Sequence, residues 1–337
     1  MKILVDSFNE CFQNDMGGVR IKIEAFVKYM SKLNNVKLFD KWNDKISDYD
    51  ILHVFKAGVQ NHREIRFAKE LGLKVIISAV AEKEKNSSIT IKKAISKLPL
   101  NIPYSILRKN YELADCIIAE TNYEREYISK AYKIKTEKII VLPNGIDIDY
   151  QNDYKKLFAE KYGIKDSFVL QVGRFDANKN QLSTIRALKG TGVKLVFIGG
   201  PDKDEPQYFE RCKKEADSNV LFVGWVDHND PMLVSAYQNC HTFILPSHKE
   251  ILGNALLEAG ACGANLLSTN VLPLSDWGIE KECLSFNPSD VDDIREKVMI
   301  SLKTNKKNQL AGYISERFDW SAIIQEHDRL CRKLIQE

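Results

Sequence analysis

The stretch of sequence that decides the fold is residues 245–263, Leu-Pro-Ser-His-Lys-Glu-Ile-Leu-Gly-Asn-Ala-Leu-Leu-Glu-Ala-Gly-Ala-Cys-Gly. The apolar run at its start predicts a strand that ends at Leu245. A polar loop then carries Glu250, and a helix is predicted to begin near Leu252–Gly253. A strand followed at once by a helix is part of a βαβ unit, from which parallel sheets are built.

Two carboxylates and a helix start lie close together in this stretch. Glu258 follows Glu250 by eight residues, which is about two helical turns. Carboxylates accept hydrogen bonds from sugar or ribose hydroxyls, and the free N–H groups of a helix N-terminus suit a phosphate. Gly260 and Gly263 are expected inside the helix, where a glycine costs about 1 kcal/mol. We therefore assign them to close packing against the sheet.

Similar strand and helix segments occur on both sides of this stretch. The predicted strands are Ile3–Val5, Ile51–Phe55, Val75–Val80, Ile117–Glu120, Ile139–Leu142, Phe168–Val172, Leu195–Ile198, Val220–Val223, Thr242–Leu245 and Asn265–Ser268. Uninterrupted apolar strands are expected when helices cover both faces of a parallel sheet. The polar, turn-rich stretch 145–165 separates the first five strands from the others. This arrangement predicts an α/β protein of two similar domains joined by a linker, with a binding cleft between them.

A second strand–helix junction, residues 172–188, carries two cations. A strand is predicted to end at Gly173, Arg174 lies in the loop, and Lys179 lies at the start of the next helix. Ligands of open parallel sheets bind at the carboxyl ends of the strands, and a helix N-terminus attracts anions. Arg174 and Lys179 can there stabilise a departing diphosphate without a metal ion. From these residues alone, a pair of solvated surface cations is the alternative.

Composition and charge narrow the class of protein. The chain has 337 residues, enough for two domains, and it contains no apolar run of the ~20 residues that span a bilayer. No secretory signal is visible, so a cytoplasmic location is expected. The seven cysteines lack the spacing of a zinc or redox motif. Residues 1–165 hold 29 Lys and Arg against 22 Asp and Glu, which favours an anionic acceptor or surface for this half.

Together these features resemble family 4 of the retaining glycosyltransferases, which have the GT-B fold of two facing Rossmann-like domains. The resemblance spans nearly the whole chain and rests on the joint order of short motifs. These motifs are Gly17-Gly18-Val19, Val141-Leu-Pro-Asn-Gly-Ile-Asp147, Val172-Gly-Arg-Phe175 with Lys179, Phe222-Val-Gly-Trp-Val226, Pro246-Ser247 with Glu250 and Glu258, and Phe318-Asp-Trp320 in the last helix. The resemblance implies an N-terminal Rossmann-like acceptor domain at 1–150 and a Rossmann-like nucleotide-sugar donor domain at 166–314. It also implies a C-terminal helix, within 315–337, that packs back on the first domain.

The resemblance also implies roles for individual residues. Arg174 and Lys179 would hold the donor diphosphate, and Glu250 would contact the transferring sugar. Glu258 would bind the ribose hydroxyls. The other implied donor contacts are the Gly17-Gly18 loop over the diphosphate, Val226 near the nucleotide base, and backbone amides of Leu252, Gly253 and Asn254. The implied reaction moves a hexose or pentose, with retention, from a nucleotide diphosphate sugar to a glycan or lipid-linked acceptor, without a cofactor or metal ion.

Two departures from the family pattern keep alternatives open. The family usually has Gly-Phe-Gly after the first glutamate, where this chain has Ile251-Leu252-Gly253. The family also has a histidine after an early strand, where this chain has no histidine between Ser78 and Glu84, and Glu82 is a candidate replacement. A non-catalytic nucleotide-sugar-binding protein is therefore one alternative. Transfer to a nucleic-acid base is another, since a basic cleft also attracts DNA.

Two further features bear on partners and ligands. Residues 88–110 combine lysines with apolar residues at helical spacing and predict a short basic amphipathic helix. Such a helix can rest on an anionic membrane at the inner face, or it can be an ordinary solvated helix with a buried face. Among the histidines, His53 is a candidate for ligand contact in the cleft. His228 and His327 are expected at the surface or as supporting residues.

Overall fold

The computed structural model describes residues 1–9, 11–13, 18–81, 102–147, 149–164, 166–228, 230–250, 253–305 and 308–337. Within these ranges the chain forms two α/β units. The first comprises Met1–Gly145 with Trp320–Glu337, and the second comprises Ile146–Asp319. Each unit contains a parallel sheet with helices along the chain between strands, as the sequence predicts, and each sheet has six strands where five are predicted.

The first unit has the strand order β2-β1-β3-β4-β5-β6. Its strands are β1 (Lys2–Asp6), β2 (Asn35–Leu38), β3 (Ile51–Phe55), β4 (Lys74–Ser78), β5 (Cys116–Ala119) and β6 (Ile139–Val141). Its described helices are α1 (Gly18–Met30), α2 (His62–Glu70), α3 (Pro103–Leu113), α4 (Asn122–Tyr132) and the C-terminal α13 (Trp320–Gln336), besides short 3₁₀ turns at Ile46–Asp48 and Thr136–Lys138. Strand β2 is absent from the sequence prediction because it is a short, largely exposed edge strand without an apolar run.

The second unit has the strand order β12-β11-β10-β7-β8-β9. Its strands are β7 (Phe168–Val172), β8 (Lys194–Ile198), β9 (Val220–Gly224), β10 (Thr242–Leu245), β11 (Asn265–Thr269) and β12 (Cys283–Phe286). Its described helices are α5 (Lys155–Tyr162), α6 (Gln181–Leu188), α7 (Pro206–Glu215), α8 (Pro231–Asn239), α9 (Asn254–Ala261), α10 (Leu274–Trp277), α11 (Val291–Lys303) and α12 (Asn308–Arg317). The order reverses between β7 and β10, which makes this pair the topological switch point of the sheet.

The central strands of each sheet are buried on both faces, and this explains why their sequences do not alternate. Successive side chains of a strand point to opposite faces of the sheet. Leu4 therefore packs in one core cluster while Ile3 and Val5 pack in another. In the second unit Phe168 and Val169 are divided between two clusters in the same way. Helices cover each face, as the parallel arrangement requires.

Three local expectations differ from the structure. The expected linker contains helix α5, whose Phe158 is fully buried in the second unit. Helix α9 ends at Ala261, so Gly263 lies beyond it in the left-handed region with φ of 86°. Close packing holds for Gly260 alone, because a Cβ there would collide with Ile314 Cδ1 of α12 and lie 3.0 Å from Leu266 Cδ1 of strand β11. The last helix begins at Trp320, so Phe318 and Asp319 precede it.

Candidate active site

The predicted site residues of the second unit meet at the switch point of its sheet. Strands β7 and β10 are hydrogen-bonded neighbours, and both run in the same direction. Arg174 and Lys179 follow β7, and Glu250 follows β10. The carboxyl ends of parallel strands lie at one edge, so the two loops are brought together there.

An ion pair joins the two loops. Lys179 Nζ lies 2.6 Å from Glu250 Oε2, and their side chains are 27% and 15% exposed. Ser247 Oγ donates a second hydrogen bond to the same carboxylate oxygen, at 3.1 Å. The ammonium that is predicted to bind a diphosphate is therefore held by the carboxylate that is predicted to contact the sugar.

Arg174 is held by two carboxylates of the same unit. Its Nε lies 2.6 Å from Asp202 Oδ2 and 3.2 Å from Asp176 Oδ2. Both aspartates are almost fully buried, whereas 53% of the Arg174 side chain is exposed. Asp176 also accepts a hydrogen bond from the Lys179 backbone N–H at 2.8 Å. These contacts orient the guanidinium and leave more than half of its side chain open to solvent.

Asparagine and glutamine side chains fix the backbone of the loop after β7. Asn178 exchanges three hydrogen bonds with the loop after β10, at the backbone of His248 and Lys249. Asn180 adopts the left-handed conformation with φ of 57°, and its amide donates to backbone carbonyls of the unit. Gln171, buried in β7, donates to the Lys179 carbonyl at 2.8 Å. The sequence alone gives no signal for these residues, since a polar residue within a loop or strand carries no distinctive pattern.

Glu258 lies on α9 and is 5% exposed. Its Oε1 is 2.9 Å from His228 Nε2, and its Oε2 is 2.9 Å from the Tyr237 hydroxyl. Burial, followed by the nearby Glu258 charge, raises the pKa of Tyr237 well above its usual value. The phenol therefore remains a donor at neutral pH. His228, expected at the surface or in a supporting role, is brought to the carboxylate by the loop between β9 and α8.

Helix α9 starts beside the Glu250 loop. Gly253 precedes it with φ of 61°, and a Cβ there would lie 2.8 Å from Leu245 Cδ2, so both conformation and space favour glycine. The first helical residue is Asn254, and its side-chain Oδ1 is buried without a hydrogen-bond partner in the described part of the chain. The first amides of a helix have no intrahelical partner, so this helix start remains a candidate phosphate contact.

Other predicted site residues lie elsewhere or outside the described ranges. Val226 is half-buried after β9 and packs against the core of the second unit. Gly18 is the first residue of α1 in the first unit. Outside the described residues lie Gly17, Glu82, Ile251, Leu252 and most of the basic segment 88–110.

His53 is a core residue of the first unit. It is fully buried in the middle of β3, and its Nε2 is 2.8 Å from Ser78 Oγ. Burial lowers its pKa well below the usual value. His327 on α13 is also buried, 6.1 Å from His53 between ring centroids, and burial lowers its pKa to about 3. Both imidazoles are neutral core groups.

Neither a metal-binding cluster nor a membrane-spanning helix is present among the described residues. Among them no group of three or more His, Cys, Asp or Glu side chains is arranged to hold a metal ion. In the same ranges no helix combines the length and apolar character needed to cross a bilayer.

Comparison with known proteins agrees with this arrangement. Residues 5–150 match the model of Glycosyltransferase Family 4, and residues 154–317 match that of Glycosyl transferases group 1. The serotype-specific mannosyltransferase WbdA of Escherichia coli is 28% identical over 63% of this chain and 28% of its own length. A Campylobacter jejuni N-acetylgalactosamine-N,N'-diacetylbacillosaminyl-diphospho-undecaprenol 4-alpha-N-acetylgalactosaminyltransferase is 33% identical over 48% of this chain and 42% of its own length. The chain thus spans less than half the length of these two relatives.

The fold is shared with solved structures. Anabaena HepE in complex with UDP superposes with a TM-score of 0.77, at 15% sequence identity, over 99% of this chain and all of HepE. The two parallel sheets and this match define an α/β protein of the GT-B type. The chain belongs to family 4 of the glycosyltransferases.

Proposed function

We propose that this protein transfers a hexose or pentose from a nucleotide diphosphate sugar to a glycan or lipid-linked acceptor, with retention of anomeric configuration. The observation that carries the proposal is the pairing of Lys179 with Glu250 at the switch point, beside Arg174. A cation suited to a diphosphate and a carboxylate suited to a sugar lie within hydrogen-bonding distance, and Arg174 lies in the same loop as Lys179. Glu258, on the helix that starts next to Glu250, supplies the acceptor for ribose hydroxyls.

The reaction follows from charge and geometry. The bond between sugar C1 and the diphosphate oxygen breaks, and Arg174 and Lys179 stabilise the negative charge that develops on the leaving group. The acceptor oxygen bonds to C1 from the same face, and its proton passes to the departing diphosphate. Glu250 orients the sugar and forms no covalent bond. Fixed cations supply the charge that a metal ion supplies in other transferases, so we propose that no cofactor is needed.

The relatives support the acceptor class. WbdA is named as a mannosyltransferase, and the Campylobacter jejuni relative is named for a diphospho-undecaprenol acceptor. An acceptor of that kind presents an anionic diphosphate at a membrane surface, which suits the basic composition of residues 1–165. We therefore propose peripheral contact with the membrane, with 88–110 as the candidate segment.

A thermal-shift panel tests the donor site. UDP, GDP, ADP and CMP are titrated with and without EDTA against wild type, Lys179→Ala and Lys189→Ala. A ligand at 100 times its Kd stabilises the folded protein by about 2.7 kcal/mol. We expect one diphosphate to stabilise wild type and Lys189→Ala despite EDTA, and Lys179→Ala to lose most of this shift. Lys189 is the control because it lies exposed at the opposite end of α6.

Assays of sugar transfer distinguish the proposed activity from the two alternative functions. The nucleotide diphosphate sugar with the base identified by the thermal-shift panel is incubated with lipid-linked and glycan acceptors. The anomeric configuration of the product is determined by NMR. An α-linked product from an α-linked donor supports retention, and an inverted product refutes it. Donor binding without transfer or hydrolysis on any acceptor favours a non-catalytic binding protein. Salt-sensitive binding and glycosylation of duplex DNA favours the nucleic-acid acceptor.

A further inference from the structure

The surroundings of Glu258 show how its carboxylate is held. The oxygens of a carboxylate accept hydrogen bonds, so we take both neighbours as donors, His228 through Nε2–H and Tyr237 through its hydroxyl. Each carboxylate oxygen receives one of the two donors. Hydrogen bonds to both oxygens thus fix the orientation of the Glu258 carboxylate in the free protein.

The two donors differ in their surroundings. Tyr237 is fully buried on α8 and packs edge-to-face against Phe243. His228 keeps 19% of its side chain exposed and lies in the loop that follows Val226. The loop is shaped by a turn, in which the Asp230 N–H donates to the Asp227 carbonyl at 3.0 Å, and Asp230 then caps α8. His228 therefore links the loop proposed to lie near the nucleotide base with the carboxylate proposed to bind the ribose.

The number of acceptor positions on Glu258 suits a particular ligand group. A carboxylate offers about four lone-pair positions, and the two protein donors occupy one on each oxygen. One position per oxygen remains, which matches the two hydroxyls of a vicinal diol. A ligand that lacks one hydroxyl leaves one buried acceptor position without a partner, which is unfavourable.

We infer that His228 is a positioning residue that orients Glu258 for the 2′- and 3′-hydroxyls of a ribonucleotide and thereby selects ribose over deoxyribose. This inference rests on the proposed function, because it takes the ligand of Glu258 to be the nucleoside of the donor. Beyond that function, it gives His228 a role that involves no contact with the reacting atoms. It also predicts that the protein prefers ribonucleotides to deoxyribonucleotides.

Calorimetric titration of the full chain tests the inference. UDP, GDP and ADP are compared with their 2′-deoxy counterparts on wild type, His228→Ala, His228→Gln and His62→Ala. Glutamine keeps an N–H donor, and His62 is a half-buried histidine of the first unit that bonds to Asn110. For the nucleotide that wild type binds, we expect His228→Ala to raise the Kd of the ribo form about tenfold, equivalent to about 1.4 kcal/mol. We expect the Kd of the deoxy form to rise less, by about threefold or less, since it keeps only the 3′-hydroxyl as a partner for Glu258.

The pattern across variants distinguishes positioning from general damage. His228→Gln should restore most of the preference for ribose, and His62→Ala should leave it unchanged. A His228→Ala variant that weakens both nucleotides equally, or that retains the wild-type ratio, overturns the positioning role while the donor site stands. Equal affinity of wild type for the ribo and deoxy forms overturns it as well. Wild type that binds no nucleoside diphosphate refutes the proposed function, and the inference fails with it.

Discussion

Replacing Lys179 and replacing Glu250 should change the affinity for a nucleoside diphosphate in opposite directions. In the free protein the ammonium of Lys179 lies 2.6 Å from Glu250 Oε2, and both side chains are mostly buried. A diphosphate that binds Lys179 must share this cation with the carboxylate and must approach a like charge. The ion pair thus holds the site in shape and also competes with the ligand.

The magnitudes follow from the two interactions. A hydrogen bond to a charged group contributes about 1.5 to 3 kcal/mol, so Lys179→Ala should raise the Kd of the diphosphate about 10- to 150-fold. Glu250→Gln removes one negative charge. A like charge about 6 Å away in a solvated site costs about 0.7 kcal/mol, so this variant should bind the diphosphate about threefold more tightly. Sugar transfer should nevertheless fall in Glu250→Gln, because this variant loses the carboxylate that we propose orients the sugar.

Isothermal titration with the cognate diphosphate, together with initial rates of transfer, measures both effects. Lys189→Ala serves as the matched control, and the unfolding temperature of each free variant shows whether the fold is retained. If Glu250→Gln and Lys179→Ala weaken binding to the same extent, the ion pair serves structure alone. A change of less than about threefold in Lys179→Ala would show that the diphosphate binds elsewhere.

Three further predictions concern stability. Burial lowers the pKa of His327 to about 3, from the ordinary value of 6.5 that applies to the unfolded chain. Between these two pH values the unfolded state binds more protons than the folded state. The unfolding free energy therefore falls as pH drops below 6.5, by at most about 1.4 kcal/mol per pH unit. His327→Phe should therefore flatten the pH dependence of urea unfolding between pH 7 and 5, and an unchanged slope would contradict the buried neutral state. Gly145→Ala should lower the unfolding free energy by about 1 to 3 kcal/mol, because its Cβ would lie 2.6 Å from the Trp320 ring, whereas Gly312→Ala, with open space around it, should be neutral or slightly stabilising. Asp230→Ala removes the side-chain cap of α8 and should lower the unfolding temperature through a loss of about 1 kcal/mol, measurable by calorimetry.

Much of the fold was predictable from local sequence. All ten predicted strands are present, because each is an apolar run that packs into the core of its unit, although β9 is only half-buried. The two missing strands, β2 and β12, are four-residue edge strands whose apolar residues are interrupted by polar ones, so they lack the apolar run that marks the other two edge strands, β6 and β9. The sequence prediction placed Gly263 inside α9, whereas this residue lies beyond the end of the helix. Glycine occurs both within helices at close contacts and just after their ends, so the residue type alone does not locate the end.

The sequence by itself determined the order of strands and helices, the loops that carry Arg174, Lys179 and Glu250, and the family. These are local properties, since a periodic pattern or a short motif occupies consecutive residues. Only the tertiary structure decided which side chains hold these residues. Asp202 reaches Arg174 from the loop after β8, and His228 reaches Glu258 from the loop after β9. Such partners lie 28 and 30 residues apart in the chain, and they meet because parallel strands gather their carboxyl-end loops at one edge of the sheet.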